Sequence, residues 1–199
     1  MRITPGESWT WSYKSIDDGN YLGLIITSDD GNRYFFRTNF KVQKLAVFPE
    51  NGAPFCVLDA QLLNDFMSGL NEIGVYDNES EQDVSINMEL ALNAVACNRF
   101  VAAPRRVIEH AFIPYMGNIE HINRGQVVSL YTKDKKVCDF IALDGDDEAV
   151  DGAYRLMFVN RELKIGKQIL CVGALIKVPR TLICPFRALS KSIDNMGYA

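Results

Sequence analysis

The chain holds two tryptophans, and both stand near its start, in Trp9-Thr10-Trp11-Ser12-Tyr13. Residues two apart on a strand point to the same face. Two indoles on one face are a large apolar commitment close to a terminus, and termini fray unless something ties them down. The segment that opens with Met1-Arg2-Ile3-Thr4-Pro5 is therefore expected to be a docked strand with both indoles buried, not a leader.

At 199 residues, there is material for one large domain or two small ones. With 48% hydrophobic and 23% charged residues the composition is that of a globular protein, which excludes global disorder. Pro5-Gly6-Glu7-Ser8 follows Arg2 where a signal peptide would carry its apolar region, so no secretory signal is expected. The longest apolar run, Ile169 to Ile176, is eight residues; a membrane helix needs roughly 20. The expectation is a soluble cytoplasmic chain with no membrane insertion. The cysteines Cys56, Cys97, Cys138, Cys171 and Cys184 are odd in number and form no C-x-x-C pair. They read as reduced, mostly buried thiols, not as zinc ligands.

The net charge of −4 conceals an asymmetry. Residues 1–103 hold 7 Lys/Arg against 14 Asp/Glu, and residues 104–199 hold 14 against 11. Between Arg155 and Lys191 stand eight bases and one acid, Glu162. Segregation of this kind points to an acidic partner for the C-terminal half, or to a solvated strand face.

Tyr21–Thr27 and Arg33–Arg37 are rich in β-formers and flank Asp29-Asp30-Gly31-Asn32, a strong hairpin signal. With the tryptophan strand they predict a three-stranded meander. A helical turn is expected at Lys41–Lys44 and a loop at Pro49–Gly52. Asp59 reads as the N-cap of a helix carrying Leu62, Leu63, Phe66, Met67 and Leu70 and stopping near Gly74. An acidic linker over residues 76–83 leads to a second helix, with Val84, Met88, Leu92, Val95 and Ala96 as its apolar stripe and Pro104 as its end. Beyond Pro104-Arg105-Arg106 the runs Gln126–Tyr131, Lys136–Leu143, Tyr154–Val159 and Gln168–Val178 are short and β-branched. Turn clusters at Asp144–Asp147 and Asn160–Glu162 separate them, which predicts a small barrel or sandwich. The fold class is α+β: an α/β domain over residues 1–104, a meander with two helices, then a mostly-β, barrel-like domain over 105–199 with a loose tail after Phe186.

Motifs for chemistry fail on inspection. His110 and His121 have no acid or thiol at ligand spacing. Gly166-Lys167 lacks the following Ser/Thr and the first glycine of a P-loop. Asp144–Glu148 lacks the glycine and the terminal glutamate of a calcium loop and reads as a turn. There is no G-x-S-x-G and no G-x-G-x-x-G. Cysteines in apolar runs have raised pKa values and are inert. Bases among few free aromatics give little support to nucleic-acid binding. No catalysis, metal or cofactor is expected.

One resemblance is specific. Met1-Arg2-Ile3 and Pro5 with Trp9-x-Trp11-x-Tyr13 resemble the start of the ZapC family of Z-ring-associated cell-division proteins. Phe36-Arg37 and Phe40 with Lys44-Leu45, Phe55-Cys56-Val57 before Asp59-Ala60, and Leu92-Asn93-Ala94 with Arg99 match as well. The likeness covers about the first hundred residues; after them scattered positions match, chiefly Ile176-Lys177 and Leu182. It implies a non-enzymatic, cytoplasmic protein at the division site that binds polymerised FtsZ and promotes lateral association of its filaments; two domains can supply the two surfaces this needs without a dimer, so a monomer is expected. FtsZ is acidic, and by charge alone the partner-binding residues are taken to be Arg155, Arg161, Lys164, Lys167, Lys177 and Arg180. Two alternatives remain open: a small-ligand or nucleotide-binding β-barrel module, which would show a buried pocket with convergent polar groups, and an enzyme, which would show a perturbed titratable pair in a cleft.

Overall fold

The computed structural model describes residues 9–16, 18–28, 31–72, 81–104, 109–117, 119–160, 162–165 and 168–186. The fold is α+β, with N-terminal strands and helices followed by a β-rich part, as expected. It divides into two compact units, residues 1–64 with 91–102, and residues 65–90 with 103–199.

In the first unit β1 (Thr10–Ile16), β2 (Gly19–Thr27) and β3 (Arg33–Lys41) form an antiparallel meander. The β2–β3 turn is closed by the Ser28 amide donating to the Asn32 carbonyl at 2.9 Å, and Gly31 adopts φ +81° within it. Trp9 and Trp11 are each 1% exposed. Phe55 packs against both indoles at 5.4 and 5.6 Å, and Phe100 meets Trp11 edge-on at 5.0 Å. The outer edge of β1 is tied by three backbone bonds of 2.8 Å, Trp11 N to Ala53 O, Gly52 N to Trp11 O and Phe55 N to Trp9 O. The expected docked strand is present from Trp9 onward; residues 1–8 lie outside the described residues. The short turn expected near Lys41 is a 3-10 turn, Val42–Lys44.

Helix α1 spans Val57–Glu72 and α2 spans Glu81–Phe100. Asp59 is not the N-cap of α1. It is the third helical residue, and its Oδ2 accepts from the backbone amide of Cys56 at 3.0 Å. This is the reach-back half of a capping box, which satisfies the amide of the N-cap residue itself and not those of the second or third helical residue. The expected stop at Gly74 and most of the acidic linker lie outside the described residues, but Glu81, Gln82 and Asp83 are helical, not linker. Helix α2 ends at Phe100, before Pro104, where Val101 bridges to Leu45. Every residue from Leu90 to Cys97 is buried, so this part of α2 is enclosed all round, not on one stripe.

In the second unit β5 (Val127–Thr132), β6 (Val137–Ala142), β7 (Ala153–Phe158) and β10 (Leu175–Pro179) form a curled antiparallel sheet. The other edge of β5 is shared by β4 (Phe112–Ile113) at one end and β11 (Cys184–Pro185) at the other. Alternate residues Val128, Leu130, Phe140, Leu156, Phe158, Ile176 and Val178 fill the interior. β8 (Glu162–Ile165) and β9 (Gln168–Cys171) make a separate hairpin. Two expectations change here. Glu162 starts a strand instead of closing a turn. The run Gln168–Val178 is two strands parted at Gly173, whose φ of +80° turns the chain; an unbroken apolar run hides such a turn. Arg105, Arg106 and the tail after Phe186 lie outside the described residues.

Candidate functional site

The six basic residues singled out by charge have different surroundings. Arg155 is held by Asp144, with Nη2 at 2.6 Å and Nε at 2.9 Å from Oδ1 and the backbone amide at 2.9 Å from Oδ2. Asp144 is itself buried. Arg180 donates to Asp146 Oδ1 at 2.9 Å and to the carbonyls of Ile119 and Glu120 at 2.7 and 2.9 Å. Lys164 is exposed on β8, and Lys177 is half-buried on β10 as the cross-strand neighbour of Arg155. Among the described residues neither lysine forms an ion pair. Arg161 and Lys167 lie outside the described residues.

Asp146 is a hub that the sequence does not reveal. Its Oδ1 accepts from Tyr154 Oη at 2.6 Å and from Arg180, and His121 Nδ1 lies 2.6 Å from Oδ2. His121 thus has an acidic partner in space though none at ligand spacing in sequence. Partial burial works to raise the Asp146 carboxyl, but the hydrogen bonds from Tyr154 and Arg180 outweigh it and hold it below the usual carboxylate range. A carboxylate with both oxygens engaged acts as a clasp between the 119–122 segment, β7 and the 3-10 turn Arg180–Leu182, not as a base.

Asp59 is the counterpart in the first unit. It is 1% exposed and accepts from Trp11 Nε1 at 3.1 Å, from Cys56 N and from Arg99 Nε at 2.7 Å. A buried charge with three donors is satisfied and structural. Burial, with the Asp139 carboxylate second, pushes Cys138 up to about 12 and Cys184 up to about 11, so both are thiols at neutral pH and poor nucleophiles. Among the described residues no group of three or more His, Cys, Asp or Glu could hold a metal, and no helix is long and apolar enough to cross a membrane.

The outer face of the β1–β3 sheet was not singled out from sequence. Trp11, Leu22 and Leu24 point inward; strand alternation sends Lys14, Tyr21, Gly23, Ile25, Phe35 and Arg37 to the other side. The Phe35 ring lies where a Cβ on Gly23 would stand. Lys14 Nζ sits 5.2 Å above Phe35, and Arg37 and Lys41 lie 5.0 and 5.4 Å from the Tyr21 ring. Lys41 pairs with Asp18 at 3.0 Å; the hydrogen bond it donates to Asp18 holds its ammonium above the usual value. Lys14, Arg33 and Arg37 are exposed and form no ion pair among the described residues. A shallow depression of about 320 Å³ lies beside them. An apolar groove of about 220 Å³, lined by Ile113, Tyr115, Met116, Tyr131, Leu182 and Cys184, opens in the second unit.

Residues 2–102 match the family described as cell-division protein ZapC, N-terminal. A cell division protein ZapC from Aeromonas hydrophila subsp. hydrophila is 33% identical over 100 residues, 50% of this chain and 49% of that protein. In this alignment the chain spans about half the length of its relative. A cell division protein ZapC from Musicola paradisiaca is 23% identical over 188 residues, 93% of this chain and 90% of that protein.

Proposed function

Because the chain belongs to the cell-division protein ZapC family, we propose that it binds polymerised FtsZ at the division site in the cytoplasm and promotes lateral association of the filaments without covalent chemistry. The match over residues 2–102 is the observation that carries this reading. Lateral association requires two filament contacts per particle, from two surfaces on one chain or from self-association. We place one contact on the basic residues of the second unit, with Lys164 and Lys177 as its open charges and Arg161 and Lys167 beside them in sequence. Arg155 and Arg180 support this surface through their acids. Among the described residues the interior of the second unit is packed with its own side chains, which favours docking over a ligand enclosed in a barrel.

The test is co-sedimentation with assembled FtsZ from the same organism, across salt. The variant carries Lys164→Glu, Lys167→Glu and Lys177→Glu. Arg180 stays, because reversing it would break the Asp146 clasp and confuse unfolding with lost docking. Wild type should pellet with filaments at ~0.1 M salt and release as the Debye length falls toward ~3 Å at 1 M. The triple variant should stay in the supernatant with an unchanged melting curve. Failure of the wild type to pellet at low salt would remove the reading; wild-type bundling by the variant would remove the surface.

A further inference from the structure

We propose that the outer face of the β1–β3 sheet is a docking site for an extended, acidic polypeptide segment that carries a large apolar side chain. The inference goes beyond the FtsZ reading and holds for any partner of that chemistry.

The composition of the sheet is one-sided. Its three strands carry Lys14, Arg33, Arg37 and Lys41 and not one Asp or Glu. This occurs in a half of the chain whose overall balance is strongly acidic. A face that only needs solvation can use either sign; with Lys41 matched by Asp18, Lys14, Arg33 and Arg37 still make a field of one sign, which selects anionic partners.

The charges are also held in place. Lys14 rests over Phe35, and Arg37 over Tyr21 beside Lys41. Cation–π contact fixes long side chains that would otherwise lose rotamer freedom on binding. Asp18 already satisfies Lys41; Lys14, Arg33 and Arg37 form no ion pair among the described residues and are the bases that would receive carboxylates. Arg33 and Arg37 are four residues apart on one strand, a span of roughly 13 Å at the strand rise. Carboxylates four residues apart on an extended segment fit that spacing. The depression lined by Tyr13, Lys14, Ile25, Arg33, Tyr34 and Phe35 gives the segment a place for one apolar side chain.

Single-stranded nucleic acid is the other polyanion such a face could meet. It binds by stacking bases on open rings. Here Tyr21 is 7% exposed beneath two cations, and Lys14 lies over Phe35. The Tyr21 and Phe35 rings serve as platforms for the cations, which favours carboxylates over bases there.

Fluorescence anisotropy tests the inference without FtsZ, so it and the filament reading can fail separately. The probe is a fluorescein-labelled peptide the length of β3, made of glutamates around a central leucine. Full-length wild type should bind it at ~0.1 M salt and lose it toward ~1 M. R33E/R37E should bind at least about tenfold more weakly with an unchanged circular dichroism spectrum, and K164E should bind like wild type. If reversal perturbs folding, R33Q/R37Q, which keeps the side chains long and polar, should give the same loss. The proposal is overturned if either double variant binds the peptide like wild type. It is equally overturned if wild type does not bind the peptide, or if an oligo-dT of similar length binds more tightly with the same dependence on Arg33 and Arg37.

Discussion

Gly69→Ala should destabilise the protein, against the usual rule for helices. Gly69 lies inside α1, three residues before its end, and replacing a helical Gly by Ala ordinarily gains up to about 1 kcal/mol. A Cβ here would lie 2.8 Å from the carbonyl carbon of Gly125, with the carbonyl oxygen nearer still, and 3.5 Å from the Gln126 amide nitrogen. These are backbone atoms, so no flexible side chain can swing away. Gly125 is itself pinned, because it holds φ +85° and a Cβ there would approach the Asp65 carbonyl oxygen to 2.5 Å. The Asp65–Arg124 pair at 3.2 Å crosses the same contact and would be stretched. Overpacking costs about 1–3 kcal/mol. With backbone on both sides the upper end applies, and subtracting the propensity gain leaves a net loss of about 2 kcal/mol. At about 2–4 °C per kcal/mol for a chain of this size, Gly69→Ala should melt roughly 4–8 °C lower by circular dichroism. The double variant with Gly125→Ala should cost less than the sum of the singles, since one separation relieves both clashes. Gly52→Ala is the control, because its φ is +88° with nothing within 4 Å; it should show only the backbone cost of about 1–2 kcal/mol. An unchanged or raised melting temperature for Gly69→Ala would refute the close approach of α1 to the turn before β5.

Trp11→Ala should cost about 3–5 kcal/mol, because the indole is buried against Phe55 and Phe100 and its Nε1 is one of three donors to a buried carboxylate; a wild-type urea midpoint would contradict this. Asp146 should contribute to acid stability with a definite sign. Its folded carboxyl is held below the ordinary value, so its contribution is complete above the unfolded value of about 3.9 and is lost as pH falls through the folded value. The melting-temperature gap between wild type and Asp146→Asn should therefore be constant near neutral pH and shrink below about pH 4. A gap that persists to about pH 2 would show that the carboxyl is not stabilised by Tyr154 and Arg180.

What could be read from sequence was local. Trp9 and Trp11 were legible because the strand period is two and the residues are adjacent members of it. Asp59 was legible as an acid at a helix start, but not its place there, since acids are favoured both at the N-cap and in the first turn. The break at Gly173 was not legible, because a single glycine in an apolar run does not distinguish a turn from a strand interior. The long-range clasps lay beyond reach altogether. Arg180 finds Asp146 across 34 positions and Arg124 finds Asp65 across 59. No window along the chain brings those partners together.

This difference in range is also why charge counting looked toward the C-terminal half for the basic surface. A tally of residues 155–191 counts Arg155 and Arg180 as free, yet each is matched by an acid, Asp144 or Asp146, that stands outside the window. A tally of residues 1–103 reports strong acidity, yet the three strands contain none of its acids. Strand alternation then sends Lys14 and Arg37 to one face. Net charge over a window measures neither neutralisation nor display. If the proposed surfaces of both units bind acidic partners, a single chain becomes bivalent. Its second contact then forms at the effective concentration set by the first. Reversal of Arg33 and Arg37 should then abolish cross-linking while leaving the contact through Lys164 and Lys177 in place, whereas the triple variant, which lacks the pelleting contact, should neither pellet nor cross-link. A self-associating particle would behave differently, since one docking surface per chain would suffice and only one of the two sets of variants would affect bundling.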